Sequence, residues 1–174
     1  MNFIKTKING FVEINNITYD DERGYLFKFF DNCINSFIDN KSIKQINFSS
    51  NFKKGTIRGL HYQNIPMEEF KIITCISGKV FDVCIDLRRD SSSYMEWEFI
   101  ILDSQKKNSL IIPEGCAHGF QTLEDNSQLL YAHTGDYAKE YENGIRFDDD
   151  QINIKWPLDV TCVSTRDLNL KYFR

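Results

Sequence analysis

From residue 45 to residue 135 the chain runs through short apolar or alternating stretches, QINFS, TIRGLHYQ, FKIITCIS, KVFDVCIDLR, WEFIILD, SLIIP, HGFQTLE and QLLYAHTG, broken by Gly, Asn and Asp. Segments this short, rich in β-branched and aromatic residues and punctuated this regularly, read as strands of a β-sandwich or barrel. The 14 Phe and 8 Tyr agree with that reading, because aromatic side chains favour the pleated surface. No linker, repeat or change of composition divides the 174 residues, so one domain spanning 1–174 is expected. Ahead of the strand series, residues 1–19 alternate weakly and predict an N-terminal arm or edge strand, and YLFKFF at 25–30 predicts a strand. Between them and the series, DNCINSFIDNKSIK at 31–44 carries Ile34, Phe37 and Ile38 at helical spacing, which predicts one short helix. The tail beyond 145 predicts irregular structure packed over a sheet.

Charge and cysteine usage narrow the function. A formal net charge of -4 with no basic run gives no general attraction to nucleic acid, although a few cations lining a cleft could still hold a small anion. The five cysteines, at 33, 75, 84, 116 and 162, are scattered and never in CxxC spacing, so they read as reduced core residues. MNFIKTKINGF is too interrupted by Lys and Asn for a signal peptide, and no stretch approaches ~18 apolar residues. A soluble cytoplasmic protein is expected, with neither nucleic acid nor membrane as partner.

Within TIRGLHYQ at 56–63, strict alternation sets Gly59, His61 and Gln63 on one face and Arg58, Leu60 and Tyr62 on the other. A lone imidazole on such a face can be a packed core histidine or a reactive one. Spacing adds to the second reading: Gly55, His61, Gln63 and Glu68, followed by PEGCAH at 113–118, resemble the two motifs of cupin jelly-roll barrels. Metal-binding cupins converge several histidines and a carboxylate inside the barrel. Here Gln63 stands at the second histidine, the glycine expected soon after Glu68 arrives only at Gly78, and a three-histidine centre would consume His61, His118 and His133 together. No metal is therefore expected.

The ordered series DERG at 21–24, RGLHYQ at 58–63, VFDVCIDLR at 80–88, IPEGCAHGF at 112–120, Tyr131, IKWPL at 154–158 and STRD at 164–167 resembles the dTDP-4-dehydrorhamnose 3,5-epimerases and related nucleotide-sugar epimerases of the cupin superfamily. That resemblance implies an all-β jelly-roll barrel with one or two short helices and an N-terminal arm. It also implies an isomerase that inverts C3, C5 or both in a nucleotide-linked 4-keto sugar, without cofactor, in the supply of sugars for bacterial surface polysaccharides. By position, it implies His61 as general base, Asp167 as its partner carboxylate, Tyr131 as general acid and Lys71 beside the keto oxygen. Arg58 and His118 match polar residues of the active site, while Arg23, Gln45, Asn47, Tyr137 and Glu142 match contacts to the nucleotide or pyrophosphate. Two positions depart from the pattern: Lys28 stands where these enzymes carry a glutamate and Arg166 where they carry a lysine. The second keeps its charge and the first reverses it, so the nucleotide need not be dTDP. A homodimer with exchanged N-terminal strands is implied as well.

The chemistry explains the residue types. Both C3 and C5 lie next to the C4 carbonyl, so either proton can leave if the enolate is stabilised. A histidine with a reference pKa of ~6.5 suits the removal, an ammonium suits the enolate oxygen, and a phenol that stays protonated at neutral pH suits the return from the opposite face. Three other functions compete: a nucleotide-sugar 3,4-ketoisomerase, a metal-dependent cupin, and a non-catalytic sugar-nucleotide binder.

Overall fold

The computed structural model describes residues 1–174. In chain order its strands are β1 (Asn2–Lys5), β2 (Val12–Asn15), β3 (Thr18–Asp21), β4 (Gly24–Phe27), β5 (Gln45–Asn51), β6 (Thr56–Gln63), β7 (Lys71–Ser77), β8 (Lys79–Asp86), β9 (Trp97–Asp103), β10 (Asn108–Ile112), β11 (Cys116–Thr122), β12 (Ser127–His133), β13 (Glu142–Gly144) and β14 (Cys162–Val163), followed by a one-turn helix α1 (Thr165–Leu168). Two sheets face each other, ordered β1-β2-β10-β7-β12-β5 and β13-β6-β11-β8-β9, with β14 beside β6. Every pairing is antiparallel except that of β14 with β6. The expected all-β jelly-roll architecture is the one observed.

Period-two alternation sorts the side chains into three layers. Between the sheets lie Ile73, Cys75, Val80, Cys84, Leu102, Leu110, Phe120 and Leu129. Their neighbours Ile72, Ile111 and Ala132 face outward, under Ile34 and Ile38 from the segment that follows β4. On the other sheet Phe81, Val83, Ile85 and Ala117 face outward, beneath Ile145, Ile152 and Ile154 of the C-terminal tail. The tail is thus a lid over one sheet, and Ile145 joins β6 through reciprocal backbone bonds with Leu60 of 3.0 and 3.1 Å.

Several sequence expectations shift in detail. The helix expected over 31–44 is only a 3₁₀ turn at Asn32–Phe37. Asn32, Asn35 and Ser36 are weak helix formers, and Asp39 and Asn40 turn to positive φ and stop it. YLFKFF is strand only as far as Phe27, after which Phe29 packs inward against the outer layer. Two of the five free cysteines, Cys33 and Cys162, are exposed rather than buried in the core. No helix is long and apolar enough to cross a membrane.

Candidate active site

The cavity at one end of the space between the sheets is about 800 Å³, within the range of small-molecule sites. β5, β7 and β12 wall it on one side and β6 and β11 on the other, with Tyr137, Glu142 and the α1 segment at its mouth. Eleven of the thirteen residues singled out from the sequence line it: Gln45, Asn47, Arg58, His61, Lys71, His118, Tyr131, Tyr137, Glu142, Arg166 and Asp167.

A bulge builds its floor. His61 pairs with His118, but the next register pair is Arg58 with Phe120, so β6 spends one residue more than β11 between them. The extra residue breaks strict alternation and turns both Arg58 and His61 toward the cavity, while Leu60 goes outward into the apolar layer under the tail. The alternation expected from the sequence is therefore wrong at Arg58. Gly59 makes the bulge possible: its φ is +117°, and a Cβ there would lie 2.7 Å from Gly119 Cα and 2.8 Å from the His118 carbonyl oxygen.

His61 Nε2 lies 2.8 Å from Asp167 Oδ1. Burial of Asp167 alone would raise its pKa, but its bonds to His61 and to the Gly59 N–H hold the carboxyl below the usual range. An ionised carboxylate can only accept, so Nε2 carries the proton and Nδ1 is left as the basic atom. α1 sets Asp167 in place, because Ser164 caps it and accepts the Asp167 N–H at 3.0 Å. Only one turn long, this helix departs from the irregular structure that the sequence predicts for the tail.

Across the cavity, Tyr131 stands on the inner face of β12, its hydroxyl 3.2 Å from Ser49 Oγ. Burial pushes its pKa far above the ordinary phenol range, so it stays protonated at any working pH. His118 meets Tyr131 edge-on, and its Nε2 lies 2.9 and 3.0 Å from the two oxygens of Asp82. Burial raises Asp82 and lowers His118, favouring the neutral form of each. Lys71 Nζ donates to the His61 carbonyl at 3.4 Å and lies 3.6 Å from Glu69 Oε1. Burial lowers its pKa, and Glu69 is the foremost opposing influence.

At the mouth, Tyr137 donates to Glu142 Oε2 at 2.8 Å, and Arg166 forms an ion pair with Glu142 Oε1. Arg58, whose Nε donates to Asn51 Oδ1 at 2.6 Å, and Arg166 are both exposed, so their guanidinium groups can reach an anion with little desolvation cost.

Arg23 and Lys28 are not part of this cavity. They lie on or beside the β3–β4 hairpin, where Asp21 and Asp31 take their charges at 2.5 and 2.8 Å. Glu68 also departs from the cupin spacing: it turns toward Glu114 and Lys41, and Glu69 enters the cavity instead. Gln63 organises a loop, donating to the Met67 and Asp136 carbonyls and accepting the Ala138 N–H. No three His, Cys, Asp or Glu side chains sit close enough to share a metal ion. Residues not singled out from the sequence are Ser49, Glu69, Asp82 and His133 in and around the cavity. Asp82 had a signal, being the first acidic residue inside the apolar run VFDVCIDL.

A family model described as dTDP-4-dehydrorhamnose 3,5-epimerase matches residues 5–174. The dTDP-4-dehydrorhamnose 3,5-epimerase of Shigella flexneri is 35% identical over 174 residues, covering 99% of this chain and 96% of that protein. Among solved structures, the dTDP-6-deoxy-D-glucose-3,5-epimerase of Legionella pneumophila in complex with dTDP-4-keto-L-rhamnose superposes with a TM-score of 0.92 at 34% identity, over 98% of this chain and 92% of that one. A 4-keto-6-deoxy sugar epimerase from the novobiocin biosynthetic gene cluster of Streptomyces spheroides gives a TM-score of 0.93 at 30% identity, over 99% and 87%.

Proposed function

The chain belongs to the dTDP-4-dehydrorhamnose 3,5-epimerase family, and we propose that within this enzyme His61 takes the proton, Lys71 holds the charge that follows and Tyr131 returns a proton to the other face. As a member, it is an isomerase that epimerises a nucleotide-linked 4-keto-6-deoxy sugar for sugar biosynthesis.

The observation that carries the assignment of roles is the meeting of a histidine–carboxylate pair, a buried ammonium and a buried phenol in one cavity. In this reading Nδ1 of His61 removes the proton from C3 or C5, and Asp167 favours the imidazolium as it forms. Charge then moves onto O4, where Lys71 meets it; a group so placed is typically worth a few kcal/mol in the transition state. Tyr131 protonates the carbanion from the opposite side, which inverts the centre. His118, beside Tyr131 and bonded to Asp82, serves as a polar contact to the sugar. Arg58 and Arg166 hold the diphosphate, while Gln45, Asn47, Tyr137 and Glu142 contact the nucleoside end.

The same reading extends to a homodimer with exchanged N-terminal strands. In support, the β3–β4 hairpin buries none of its side chains in its own chain and exposes Tyr19, Tyr25 and Leu26, while the edge strand β5 exposes Ile46 and Phe48. An isolated hairpin is marginal in water, so a second copy is its natural support. Arg23 and Lys28 would then serve the partner's cavity, and mixing inactive Arg23→Ala chains with inactive His61→Asn chains should recover activity in hybrids. A monomer in sedimentation at working concentration would refute the exchange. A single domain spanning 1–174 and a cytoplasmic setting belong to this reading too.

The test of function is incubation with dTDP-, GDP- and CDP-linked 4-keto sugars in deuterated water, with NMR at C3 and C5. Deuterium at one or both carbons, with inverted configuration, is expected for at least one nucleotide. Migration of the carbonyl to C3 would assign a ketoisomerase, and no uptake from any of the three would overturn the reading.

A further inference from the structure

Two buried groups of the cavity are left without a task by this scheme, Glu69 and His133, each 9% exposed. We propose that Glu69, steadied by His133, is the counter-ion of Lys71 and a positioning residue that fixes this ammonium where the reaction's negative charge develops. The inference rests on the role given to Lys71 above.

The geometry joins the three in a row. Glu69 Oε1 is 3.6 Å from Lys71 Nζ, and Glu69 Oε2 is 3.1 Å from His133 Nδ1. His133 stands directly across from Lys71 in the β12–β7 register. On its far side Asn47 Nδ2 lies 3.3 Å from His133 Nε2; an amide donor there makes Nε2 the acceptor and leaves the ring N–H on Nδ1, the nitrogen nearer the carboxylate. At 3.1 Å Glu69 Oε2 and His133 Nδ1 do not meet in hydrogen-bond geometry, and neither has a hydrogen-bond partner elsewhere, so the contact between them is one of charge and dipole. Gly135 leaves room for the arrangement, since a Cβ at that position would lie 2.8 Å from Glu69 Cβ.

The surrounding charges single out Glu69. Lys71 shares the cavity with His61 from β6, His118 from β11, Tyr131 and His133 from β12, and Glu142 from β13, and Asp82 of β8 lies buried behind His118. Three other carboxylates are engaged elsewhere. Asp82 is bonded through both oxygens to His118, Glu142 is bonded to Arg166 and Tyr137, and Asp167 is bonded to His61 and Gly59. Glu69 is the one within ion-pair distance of Lys71 and the foremost balance to an ammonium that burial drives toward its neutral form, with Asp82 and Glu142 adding smaller support. A neutral amine at that position could still donate a hydrogen bond to O4, but it would lose the Coulomb attraction for an enolate. The basic limb of the pH–rate profile should therefore report Lys71, because burial puts the titration of Tyr131 out of reach.

The decisive experiment follows Lys71 itself in the substrate-free protein, by ¹⁵N NMR of the lysine side chains with the Lys71 signal assigned from Lys71→Arg. Glu69→Gln should lower the Lys71 pKa by about one unit or more, the usual influence of an opposite charge at this range. The basic limb of kcat/KM should move to lower pH by the same amount. Glu69→Asp should restore most of both, and His133→Gln, which keeps the carboxylate but frees it to move, should give a smaller shift of the same sign. An unmoved Lys71 titration in Glu69→Gln overturns the pairing, and His133→Gln decides the point if Gln at 69 does not fold. A shifted titration beside an unmoved basic limb overturns the catalytic part of the inference together with the role of Lys71.

Discussion

The two ends of the space between the sheets are built by the same strands and differ in what the inward positions carry. At the closed end Cys75, Val80, Leu102, Leu110 and Leu129 meet with nothing polar among them. Toward the open end the inward series continues as Lys71 on β7 and as Tyr131 and His133 on β12, while on the facing sheet Asp82 and His118 interrupt the apolar series, between Val80 and Cys84 and between Cys116 and Phe120. Period-two alternation holds along these strands, with the bulge of β6 at Gly59 the exception at the open end. Tyr131 marks the boundary, packing against the apolar cluster while its hydroxyl meets Ser49. The closed end supplies a packed support, and the open end holds buried charge by pairing it, His61 with Asp167, His118 with Asp82 and Lys71 with Glu69.

If that division is right, damage at the two ends should look different. The largest effect belongs to the open end: His61→Asn should cut epimerisation on the order of 10²–10⁴-fold while leaving the melting transition nearly in place, measured by turnover beside thermal unfolding. Next is the closed end, where Leu129→Ala empties a fully buried site and should cost about 2–5 kcal/mol of stability in urea titration. The shape of the pH–rate profile of the folded variant should stay as in the wild type. A Leu129→Ala enzyme that keeps its stability, or a His61→Asn enzyme that loses it, would blur the two ends into one.

A smaller effect sharpens the contrast further. Because bonding to His61 and Gly59 holds the folded-state pKa of Asp167 below its unfolded value, its contribution to stability is present above the ordinary carboxylate range and is lost as pH falls through the depressed value. Asp167→Asn should therefore be destabilised by roughly 1–3 kcal/mol at pH 7, and the deficit should shrink toward zero as pH falls below about 4. Unfolding of both proteins across that range checks it, and a deficit constant with pH would contradict the ionised state assigned to Asp167.

Much of this organisation was legible in the sequence. Eight strand segments from 45 to 135 occupy the stretches their alternation marks, and Lys71, His118 and Tyr131, which the family resemblance singles out by position, line the cavity. What escaped shares one cause, which is tertiary override of local pattern. The bulge at Gly59 moved Arg58 to the face of His61, although nothing in TIRGLHYQ alone shows an extra residue. The capped turn that carries Asp167 is too short to leave a periodicity, although the resemblance names the residue itself. Glu69 was passed over for its neighbour Glu68 because a spacing borrowed from metal-binding cupins does not know which of two adjacent carboxylates turns inward. Arg23 and Lys28 lie outside the cavity of their own chain, and one sequence cannot say which copy a strand serves.

In the proposed mechanism proton removal and proton return belong to opposite walls of this cavity, and deuterium uptake at C3 and C5, compared with product stereochemistry in Tyr131→Phe, tests that division. That substitution keeps the ring against His118 and the apolar cluster and removes only the hydroxyl. His61 can still form the enolate and return a proton from solvent to the face it came from. Deuterium should enter with retained configuration while inversion falls by roughly 10²-fold or more. Inversion at the wild-type rate in Tyr131→Phe would contradict that division, and would leave Tyr131 as a packing residue at the edge of the closed end.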